Sequence, residues 1–212
     1  VNQKPAQEIH LLRWNPRFAE LRHLKAPQKQ NARQFLDQNQ ALAVFNGGYF
    51  DSKGRPLGLL FANTWVQKQA ASGSAFGGMF SLTGNTPALW PIFQISDSHY
   101  DRVRQAPDLR FLIQCGPRLL ADGQTVSGLE RNTFTRRTAI GYDDQGRLYL
   151  MATALHYTMS FAQLQTYLKD QLKLRSALNL DGGSSTQCSI RGQADCFGFS
   201  PIPFALGLFA KK

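Results

Sequence analysis

Long apolar runs are missing from this sequence of 212 residues. No stretch approaches the roughly 18 consecutive apolar residues that a membrane-spanning helix needs. Hydrophobic residues nevertheless make up 42% of the chain and aromatic residues 11%, which is ordinary for a protein with a buried core. The sequence therefore argues against a membrane span. It predicts a single domain, residues 1–212, with its core at about 41–208 and a loose N-terminus at 1–8.

Cysteine is also scarce, with three residues at positions 115, 188 and 196. No Cys-x-x-Cys pair and no clustered His–Cys spacing occurs, so the pattern does not indicate a zinc site. Seven residues separate Cys188 from Cys196, in a segment that can form a hairpin. In an oxidising compartment these two could close a small disulfide loop. Cys115 has no evident partner and fits a small buried residue.

A dense block of basic residues, typical of a nucleic-acid-binding arm, is missing as well. The chain has 24 Lys plus Arg against 14 Asp plus Glu, a net charge of +10, but the basic residues are scattered. Such a field attracts polyanions in general, including the anionic polymers of a cell envelope. We expect no specific nucleic-acid partner, and a solubilising surface is the simpler explanation of the charge.

Glutamate is rarer still, with only three among the 14 acidic residues. Acid–base chemistry commonly uses two carboxyl groups in one site, one protonated and one ionised. Few residues can form such a pair in this chain. Asp181 is the first candidate, Asp51 and Glu130 are candidates for the second member, and Asp195 is a distant fourth.

The sequence does contain a repeated unit, in which a short apolar strand ends in a polar residue and two glycines. Residues 41–45 lead into Asn-Gly-Gly at 46–48, and residues 177–180 lead into Asp-Gly-Gly at 181–183. Glycine has no Cβ, so another backbone or a ligand can come very close. An Asp-Gly pair alone is most often a tight turn. The repetition predicts two halves whose strand ends face one cleft.

Helix and strand signals indicate an α+β fold. Residues 160–174 form the clearest helix, because a Ser–Gln capping box precedes apolar residues at helical spacing. Residues 138–142 and 147–153 pair as a hairpin, and 197–199 form a short strand. Residues 70–78 are small and form either a lid over the cleft or a plain surface loop. Many short strands with one or two helices on a face predict a mixed or largely antiparallel sheet.

Four motifs occur in a fixed order along the chain. They are Asn-Gly-Gly-Tyr-Phe at 46–50, Gln-Cys-Gly-Pro at 114–117, Arg-Thr-Ala-Ile-Gly at 137–141 and Asn-Leu-Asp-Gly-Gly-Ser-Ser at 179–185. Together they resemble the phosphodiester glycosidase family over about residues 41–208. The resemblance implies the same α+β class and the release of a sugar from a sugar-1-phosphodiester. Many relatives carry Asp-Gly-Arg before the long helix, where this chain has Ala-Leu-His-Tyr at 154–157.

These motifs supply the candidate site residues. The catalytic candidates are Asp181, Arg137 and Asn46. The candidates for substrate binding are Gly47, Gly48, Tyr49, Gln114, Thr138, Asn179, Gly182, Gly183 and Ser184. No residue is expected to bind a metal.

Each polar candidate suits one task. A guanidinium binds phosphate through two parallel donors, so Arg137 is the expected phosphate contact, with a structural ion pair to Asp181 as the alternative. Asp181 would activate a water molecule or support positive charge at the anomeric carbon. Asn46, Asn179 and Ser184 would hold sugar hydroxyls or other polar edges.

Three functions follow from these assignments, in descending order of preference. The first is hydrolysis of the bond between a sugar and phosphate, and the second is an inactive module that binds anionic glycan or phosphate. The third is a metal-assisted phosphodiesterase with Asp181 and Asp51 as ligands of calcium or magnesium. We expect a glycan or sugar phosphate as substrate and a periplasmic or secreted location. No cofactor is expected, although a divalent cation such as calcium stays open.

Overall fold

The computed structural model describes residues 8–91, 98–193 and 195–211 of the chain. Residues 1–7, which belong to the N-terminus expected to be loose, lie outside these ranges. Fifteen β-strands occur in the described residues. They are β1 (Ile9–Trp14), β2 (Ala19–Gln30), β3 (Ala43–Asn46), β4 (Leu60–Ala62), β5 (Trp65–Gln67), β6 (Gly78–Thr83), β7 (Thr86–Pro91), β8 (Leu109–Cys115), β9 (Arg118–Ala121), β10 (Gln124–Thr125), β11 (Thr138–Asp143), β12 (Leu148–Thr153), β13 (Leu174–Asn179), β14 (Cys188–Ile190) and β15 (Ile202–Ala210).

Three α-helices accompany these strands in the described part of the chain. They are α1 (Ala32–Asn39), α2 (Ser98–Arg104) and α3 (Phe161–Thr166), and a π-helical turn at Tyr167–Gln171 continues α3. Two 3₁₀ turns lie at Ser74–Phe76 and Gly183–Ser185. Among the residues described, none of the helices has the length and apolar character that crossing a bilayer requires.

The strands form three sheets. Their strand orders are β1-β12-β11-β13-β9-β10, β14-β3-β15-β2 and β5-β4-β8-β6-β7, and we call them the first, second and third sheet. All strand pairs described in these sheets are antiparallel. The predicted α+β class with largely antiparallel pairing is confirmed.

The main hydrophobic core lies between the sheets, and alternation along the strands determines which residues enter it. Ile140 of β11 and Leu150 of β12 belong to this core, together with Phe45 and Phe80 from the other two sheets. The residues next to them in sequence, such as Met151, point to the opposite face of the first sheet, as a period of two requires. There they pack against α3, so the first sheet is buried on both faces.

The predicted hairpin is confirmed. Thr138 pairs with Ala152, and Tyr142 pairs with Leu148, in an antiparallel register. The strands are slightly longer than expected, because Asp143 still belongs to β11. This hairpin fixes the direction of β11, which begins at the candidate site and ends at the opposite end of the sheet.

The predicted long helix begins at the expected place but ends earlier. The Ser160 hydroxyl oxygen accepts a hydrogen bond from the Gln163 N–H at 3.2 Å, and the Gln163 side chain accepts one from the Ser160 N–H at 3.1 Å. The helical segment stops at Gln171 rather than at 174. Lys173 adopts a left-handed conformation with φ +54°, and Leu174 already belongs to β13. Leu174 is buried in the core next to α3 as the first residue of β13, so the helix ends before its predicted limit.

The predicted strand at 197–199 is wrong. These residues are irregular, and their backbone is held by a loop rather than by a neighbouring strand. The N–H groups of Phe199 and Ser200 both donate to the Ser184 carbonyl oxygen, each at 3.1 Å. The local apolar pattern did not reveal this competing set of hydrogen bonds.

Candidate active site

Strand ends from two sheets meet at the candidate site. Asn46 is the last residue of β3 in the second sheet, and Asn179 is the last residue of β13 in the first. Arg137 directly precedes β11, whose Ala139 pairs with Asn179 because β11 and β13 are antiparallel. The loops that follow Asn46 and Asn179 are the two Gly-Gly units, and the structure brings them together.

The Asn46 side chain is a buried link between the sheets, with only 1% of its surface exposed. Its Nδ2 donates to the Asp181 carbonyl oxygen at 2.7 Å. Its Oδ1 accepts from the Thr138 hydroxyl at 2.7 Å and from the Gln187 N–H at 3.1 Å. These contacts favour a positioning role for Asn46 and Thr138 over direct contact with a substrate.

Asp181 follows β13 and has a partly buried carboxylate. Its backbone N–H donates to the Gly47 carbonyl oxygen at 3.2 Å, which ties the two Gly-Gly units together. Its Oδ1 accepts from the Gly182 N–H at 2.9 Å, and Ser185 provides a side-chain hydrogen bond. Burial raises the pKa of Asp181, and these two hydrogen bonds oppose the rise only in part.

The glycines after Asp181 allow two backbones to approach closely. A Cβ on Gly182 would lie 2.8 Å from the Arg136 carbonyl oxygen, which no side chain tolerates. Gly183 has φ +60° and donates its N–H to the same oxygen at 2.9 Å. The loop is therefore fastened to the residue before Arg137, and the Ser184 side chain that follows is exposed.

The glycines of the first unit serve a similar purpose. A Cβ on Gly47 would lie 2.5 Å from the Phe204 ring, and one on Gly48 would lie 3.3 Å from a methyl carbon of Ile113. Both positions accordingly favour glycine because of core packing. In the part of the chain that the structure describes, Gly48 is buried and its N–H makes no hydrogen bond.

Arg137 is buried, with 6% of its surface exposed, and its guanidinium is fixed on three sides. Nε donates to the Met159 carbonyl oxygen and Nη2 to the Thr133 carbonyl oxygen, both at 2.9 Å. The guanidinium carbon lies 3.8 Å from the centroid of the Phe161 ring. No hydrogen bond of Nη1 is found among the described residues, so one nitrogen is left for an anion instead of the expected parallel pair.

Tyr49 connects the carboxylate and the guanidinium electrostatically. Its hydroxyl donates to the Gly116 carbonyl oxygen at 2.8 Å. Burial is the main cause that raises the pKa of Tyr49 far above its ordinary value; the Asp181 carboxylate adds to the rise, and Arg137 opposes it. Asp181 and Arg137 thus lie around one neutral phenol. Within the described residues neither forms an ion pair, so the alternative assignment of Arg137, a structural ion pair with Asp181, is wrong.

Asn179 presents an unpaired acceptor at this site. Its Nδ2 donates to the carbonyl oxygens of Gly116 at 3.0 Å and Leu180 at 2.7 Å. Its Oδ1 is buried and has no hydrogen-bond partner among the residues described. A buried acceptor left unpaired costs about 1–3 kcal/mol. A hydroxyl group of a ligand would remove this cost.

Gln114 organises the segment beside Tyr49 and is fully buried. Its Oε1 accepts from the N–H groups of Leu59 at 3.2 Å and Ala71 at 3.0 Å, and its Nε2 donates to the carbonyl oxygens of Ala71 and Phe76. The Phe76 ring contacts the Tyr49 ring edge-on, with 5.5 Å between centroids. Residues 70–78 thus lie against the site, and the Gln114 amide contacts this segment.

The other carboxyl candidates have separate tasks. Asp51 accepts hydrogen bonds from Lys53 and Arg55 within its own turn. Asp195 accepts from the Ser189 hydroxyl and lies 3.6 Å from an Arg33 nitrogen. Glu130 caps the turn that leads to Thr133 and is exposed; hydrogen bonds in that turn lower its pKa, and the charge of Arg137 adds to the effect.

Sequence reasoning missed Arg136 and Gln187. Arg136 is 3% exposed and donates to the carbonyl oxygens of Thr153 and Ala154. Its own carbonyl oxygen holds the loop after Asp181, as described above. The Gln187 side chain joins α1 to the same region, since its Oε1 accepts from the Ala32 N–H at 2.7 Å and its Nε2 donates to the Ser200 carbonyl oxygen at 2.9 Å. Gln187 directly precedes β14, whose sequence Cys-Ser-Ile gave no signal for this contact.

The cysteines are free and buried in the structure. Cys188 and Cys196 nevertheless pair directly in an isolated antiparallel β-bridge. The backbone N–H of each donates to the carbonyl oxygen of the other, at 2.8–2.9 Å. A Cys196–Arg136 contact of 3.3 Å between Sγ and Nη2 links this pair to the site. The disulfide stays a prediction. Burial raises the pKa of Cys115 to about 12, which agrees with an inert buried thiol.

The site therefore combines one carboxylate of raised pKa with donors for an anion and an acceptor for a hydroxyl. In the described ranges, no group of three or more His, Cys, Asp or Glu side chains is placed to hold a metal ion. Such a set can bind a phosphorylated, hydroxyl-bearing ligand and can move one proton at Asp181.

Comparisons with known proteins agree with this chemistry. A model of the phosphodiester glycosidase family matches residues 39–209. Among solved structures, the catalytic domain of zebrafish N-acetylglucosamine-1-phosphodiester α-N-acetylglucosaminidase, auto-inhibited by its pro-peptide, matches with a TM-score of 0.73 and 18% identity. That match covers 99% of this chain and 86% of the zebrafish chain.

Two bacterial structures are also similar. A Synechocystis protein matches with a TM-score of 0.67 and 17% identity, covering 100% of this chain and 61% of the other. A Burkholderia pseudomallei protein whose name calls it exported matches with a TM-score of 0.55 and 13% identity, covering 94% and 73%. Comparison with curated protein sequences finds no match. At these identities the structural matches show the fold alone.

Proposed function

Because the chain belongs to the phosphodiester glycosidase family, we propose that it hydrolyses the glycosidic bond of a sugar-1-phosphodiester. Water adds to the anomeric carbon, the bond from that carbon to the phosphate oxygen breaks, and a free sugar and a phosphomonoester leave. The observation that carries the proposal is that the loop bearing Asp181 is hydrogen-bonded to the backbone of Arg136, the residue before Arg137, while neither Asp181 nor Arg137 forms an ion pair among the described residues.

Arg137 holds the phosphate in this proposal. Its Nη1 and the Gly48 N–H are donors with no hydrogen bond in the described part of the chain, and both lie on the loops that converge at the site. A fixed guanidinium stabilises the negative charge that builds on the departing phosphate, because it needs no reorganisation during the reaction. The departing phosphomonoester is already weakly basic, so a strong general acid is not required. This explains how a site with little glutamate could catalyse the proposed hydrolysis.

Asp181 takes the proton from the attacking water or supports positive charge at the anomeric carbon. Its raised pKa brings the carboxylate closer to the value at which a general base works best near neutral pH. The hydrogen bonds from Gly182 and Ser185 fix its orientation. The unpaired Oδ1 of Asn179 accepts a hydroxyl of the sugar, which selects a polar ring over an apolar one.

We also propose a location outside the cytoplasm and a substrate from the anionic glycans of a cell envelope. The name of the Burkholderia relative and the facing cysteines support the first point. The net charge of +10 supports the second. No cofactor enters the proposed reaction, and turnover should survive EDTA. Loss of turnover in EDTA would favour the metal-assisted phosphodiesterase instead.

The direct test measures sugar release from a UDP-sugar and from glycosyl-1-phosphodiesters by wild type and by Asp181→Asn. We expect release by the wild type and none above background by the variant. Equal rates would refute the role of Asp181. Binding of anionic glycan without turnover by the wild type would instead support an inactive binding module, which the replacement of Asp-Gly-Arg at 154–157 also favours.

A further inference from the structure

A cavity lies at the opposite end of the second sheet from Asn46. It has a volume of about 550 Å³, and its lining includes Glu20, Arg22, Leu42, Arg110, Phe209 and Lys211. Asn46 pairs with Ala205 on β15, whereas Glu20 pairs with Phe209 near the other end of that strand. The two pairs are about 13 Å apart along the strand, so this cavity is separate from the Asp181 site. Its volume suits a ligand larger than a single ion.

The side chains that line this cavity carry more positive than negative charge. Arg22 is neutralised by Glu20, because its Nε donates to Glu20 Oε1 at 2.8 Å and its Nη2 lies 2.7 Å from the same oxygen. Arg110 and Lys211 form no ion pair among the residues that the structure describes. The lining therefore keeps two positive charges without a carboxylate partner.

One neutral oxygen holds both of these cations. Arg110 Nη1 donates to Asn85 Oδ1 at 3.1 Å, and Lys211 Nζ donates to the same oxygen at 3.2 Å. Their other hydrogen bonds go to backbone carbonyl oxygens, from Arg110 to Gly84 at 3.4 Å and from Lys211 to Pro16. Two like charges are thus held side by side by dipoles alone.

The pKa of Lys211 reflects this arrangement. Burial lowers it, the positive charge of Arg110 lowers it further, and Glu20 opposes the decrease. An anion bound between the guanidinium and the ammonium would relieve their repulsion, since a nearby opposite charge favours the charged form of each. The geometry of the two cations therefore points to an anionic ligand.

An apolar wall adjoins the cations. Leu42 is 43% exposed, and Phe209 is partly buried. The guanidinium carbon of Arg22 lies 4.4 Å from the centroid of the Phe209 ring, which holds the ring in place. Such a wall packs against the C–H groups of a sugar ring, whereas inorganic phosphate alone would leave it uncovered.

We propose that this cavity binds a sugar phosphomonoester, with the phosphate between Arg110 and Lys211 and the sugar ring against Leu42 and Phe209. A phosphomonoester carries about −1.5 to −2 charges at neutral pH, which matches two unpaired cations better than the single charge of a carboxylate does. Guanidinium and ammonium groups both bind phosphate oxygens well. The inference does not rest on the proposed function, and it adds a binding site for phosphorylated glycans.

The test titrates the protein with glucose 6-phosphate and follows the backbone amides by two-dimensional NMR. The Asn85 and Ala210 signals report on the cavity, and the Gly182 signal reports on the Asp181 site, so the two sites are read separately. We expect saturable shifts at Asn85 and Ala210. Affinity should be at least about tenfold lower for inorganic phosphate and for glucuronate, and glucose should cause no shift.

Three outcomes of this titration would overturn the proposal. Unchanged cavity signals with glucose 6-phosphate would remove the site. Equal affinity for inorganic phosphate would show that the sugar ring is not bound, and tighter binding of glucuronate would assign the cavity to carboxylates. None of these measurements uses turnover, so they test the cavity whether or not the proposed hydrolysis occurs.

Lys211→Gln and Arg110→Gln each remove one of the two cations. Each should weaken binding of glucose 6-phosphate in the cavity about tenfold or more, because a hydrogen bond to a charged group is lost. Lys25→Gln is the matched control, since Lys25 is an exposed residue of β2 that does not line the cavity. Its affinity should stay within about twofold of wild type. Equal weakening in all three variants would indicate a general effect of net charge and contradict a specific site.

Asn85→Asp supplies an anion from the protein itself. The substitution keeps the shape of the side chain and places a carboxylate at the oxygen that both cations contact. We expect it to abolish the shift at Ala210 and to raise the melting temperature by about 1–3 °C, so that lost binding is not a result of unfolding. An Asn85→Asp protein that binds glucose 6-phosphate as wild type does would refute the role of the two cations.

Discussion

Two carboxylates at opposite ends of β11 and its neighbours have opposite surroundings. Asp143 accepts from Arg147 Nε at 2.6 Å and from the Tyr149 hydroxyl at 2.9 Å. Burial alone would raise the pKa of Asp143, but these hydrogen bonds outweigh it, and the pKa is lowered. Asp181 has no ion pair among the described residues, and burial raises its pKa. The Asp143 carboxylate at one end of the sheet is paired with its neighbours, whereas the Asp181 carboxylate at the other end is not paired with a cation.

Comparing the two ends shows how a candidate ligand site differs from a structural cluster of the same residue types. Both ends of the sheet contain an arginine and a tyrosine close to an aspartate. At the far end the three side chains hydrogen-bond each other, whereas at the site Tyr49 and Arg137 bind backbone carbonyl oxygens. The side chains of the site are thus held in place without neutralising one another.

The largest expected effect separates the two aspartates by activity. Asp181→Asn should lower kcat for sugar release by about 10²–10⁴-fold, the usual contribution of a general base. Asp143→Asn should leave kcat within about twofold, because its carboxylate is used within its own hairpin. Steady-state kinetics on a glycosyl-1-phosphodiester measure both. Comparable losses in the two variants would remove the distinction.

The second largest effect should distinguish Arg137 from Arg147 by their influence on activity. Arg137→Lys should lower kcat/KM by about 10²-fold, because an ammonium cannot hold two carbonyl oxygens and an anion in the same geometry. Arg147→Lys is the matched control at the other end, and its activity should stay unchanged. A fully active Arg137→Lys would show that the phosphate is held by other groups.

The third expectation concerns stability. Asp143→Asn should lower the free energy of unfolding by about 1–2 kcal/mol, a modest value because Arg147 is partly exposed to solvent. Asp181→Asn should not lower it at neutral pH. Urea unfolding followed by circular dichroism gives both values. A stable Asp143→Asn protein would mean that the hairpin carboxylate contributes little.

The smallest effect is a pH dependence of opposite sign. The pKa of Asp181 is raised in the folded state, so its stabilising contribution is present below the unfolded pKa and is lost as pH rises through the folded pKa. The pKa of Asp143 is lowered, so its contribution is present above the unfolded pKa and is lost as pH falls through the folded pKa. Asp181→Asn should therefore gain stability over wild type as pH rises towards neutrality. Thermal unfolding from acid to neutral pH measures the difference, and a constant offset would contradict it.

Much of this arrangement could be predicted from the sequence, because it depends on local patterns. The capping box set the start of α3, alternation in β11 and β12 set their pairing, and the two Gly-Gly units marked where strands end. These signals act over a few residues and are not easily overridden. The end of α3 was missed because the core on the first sheet requires Leu174 in a strand.

The exact task of each site residue could not be predicted in the same way. Asn46, Thr138 and Gln114 were expected to contact substrate, yet their polar atoms contact residues that are 43 to 141 positions away in the sequence. Motif position reveals that a side chain matters but not whether it faces a ligand or the core. Arg137 shows the same limit, since two backbone carbonyl oxygens occupy two of its five N–H donors.

The proposed activity of this protein depends on contact between its first and second sheets, because the Asn46 side chain of the second sheet hydrogen-bonds to Thr138 of the first. This side chain connects the loop that bears Asp181 to strands from two sheets, so those sheets cannot separate without dismantling the proposed active site. Inactivation and global denaturation should therefore coincide along a urea gradient, with no inactive but folded species between them. Turnover would then serve as a sensitive gauge of how much protein in a sample is native.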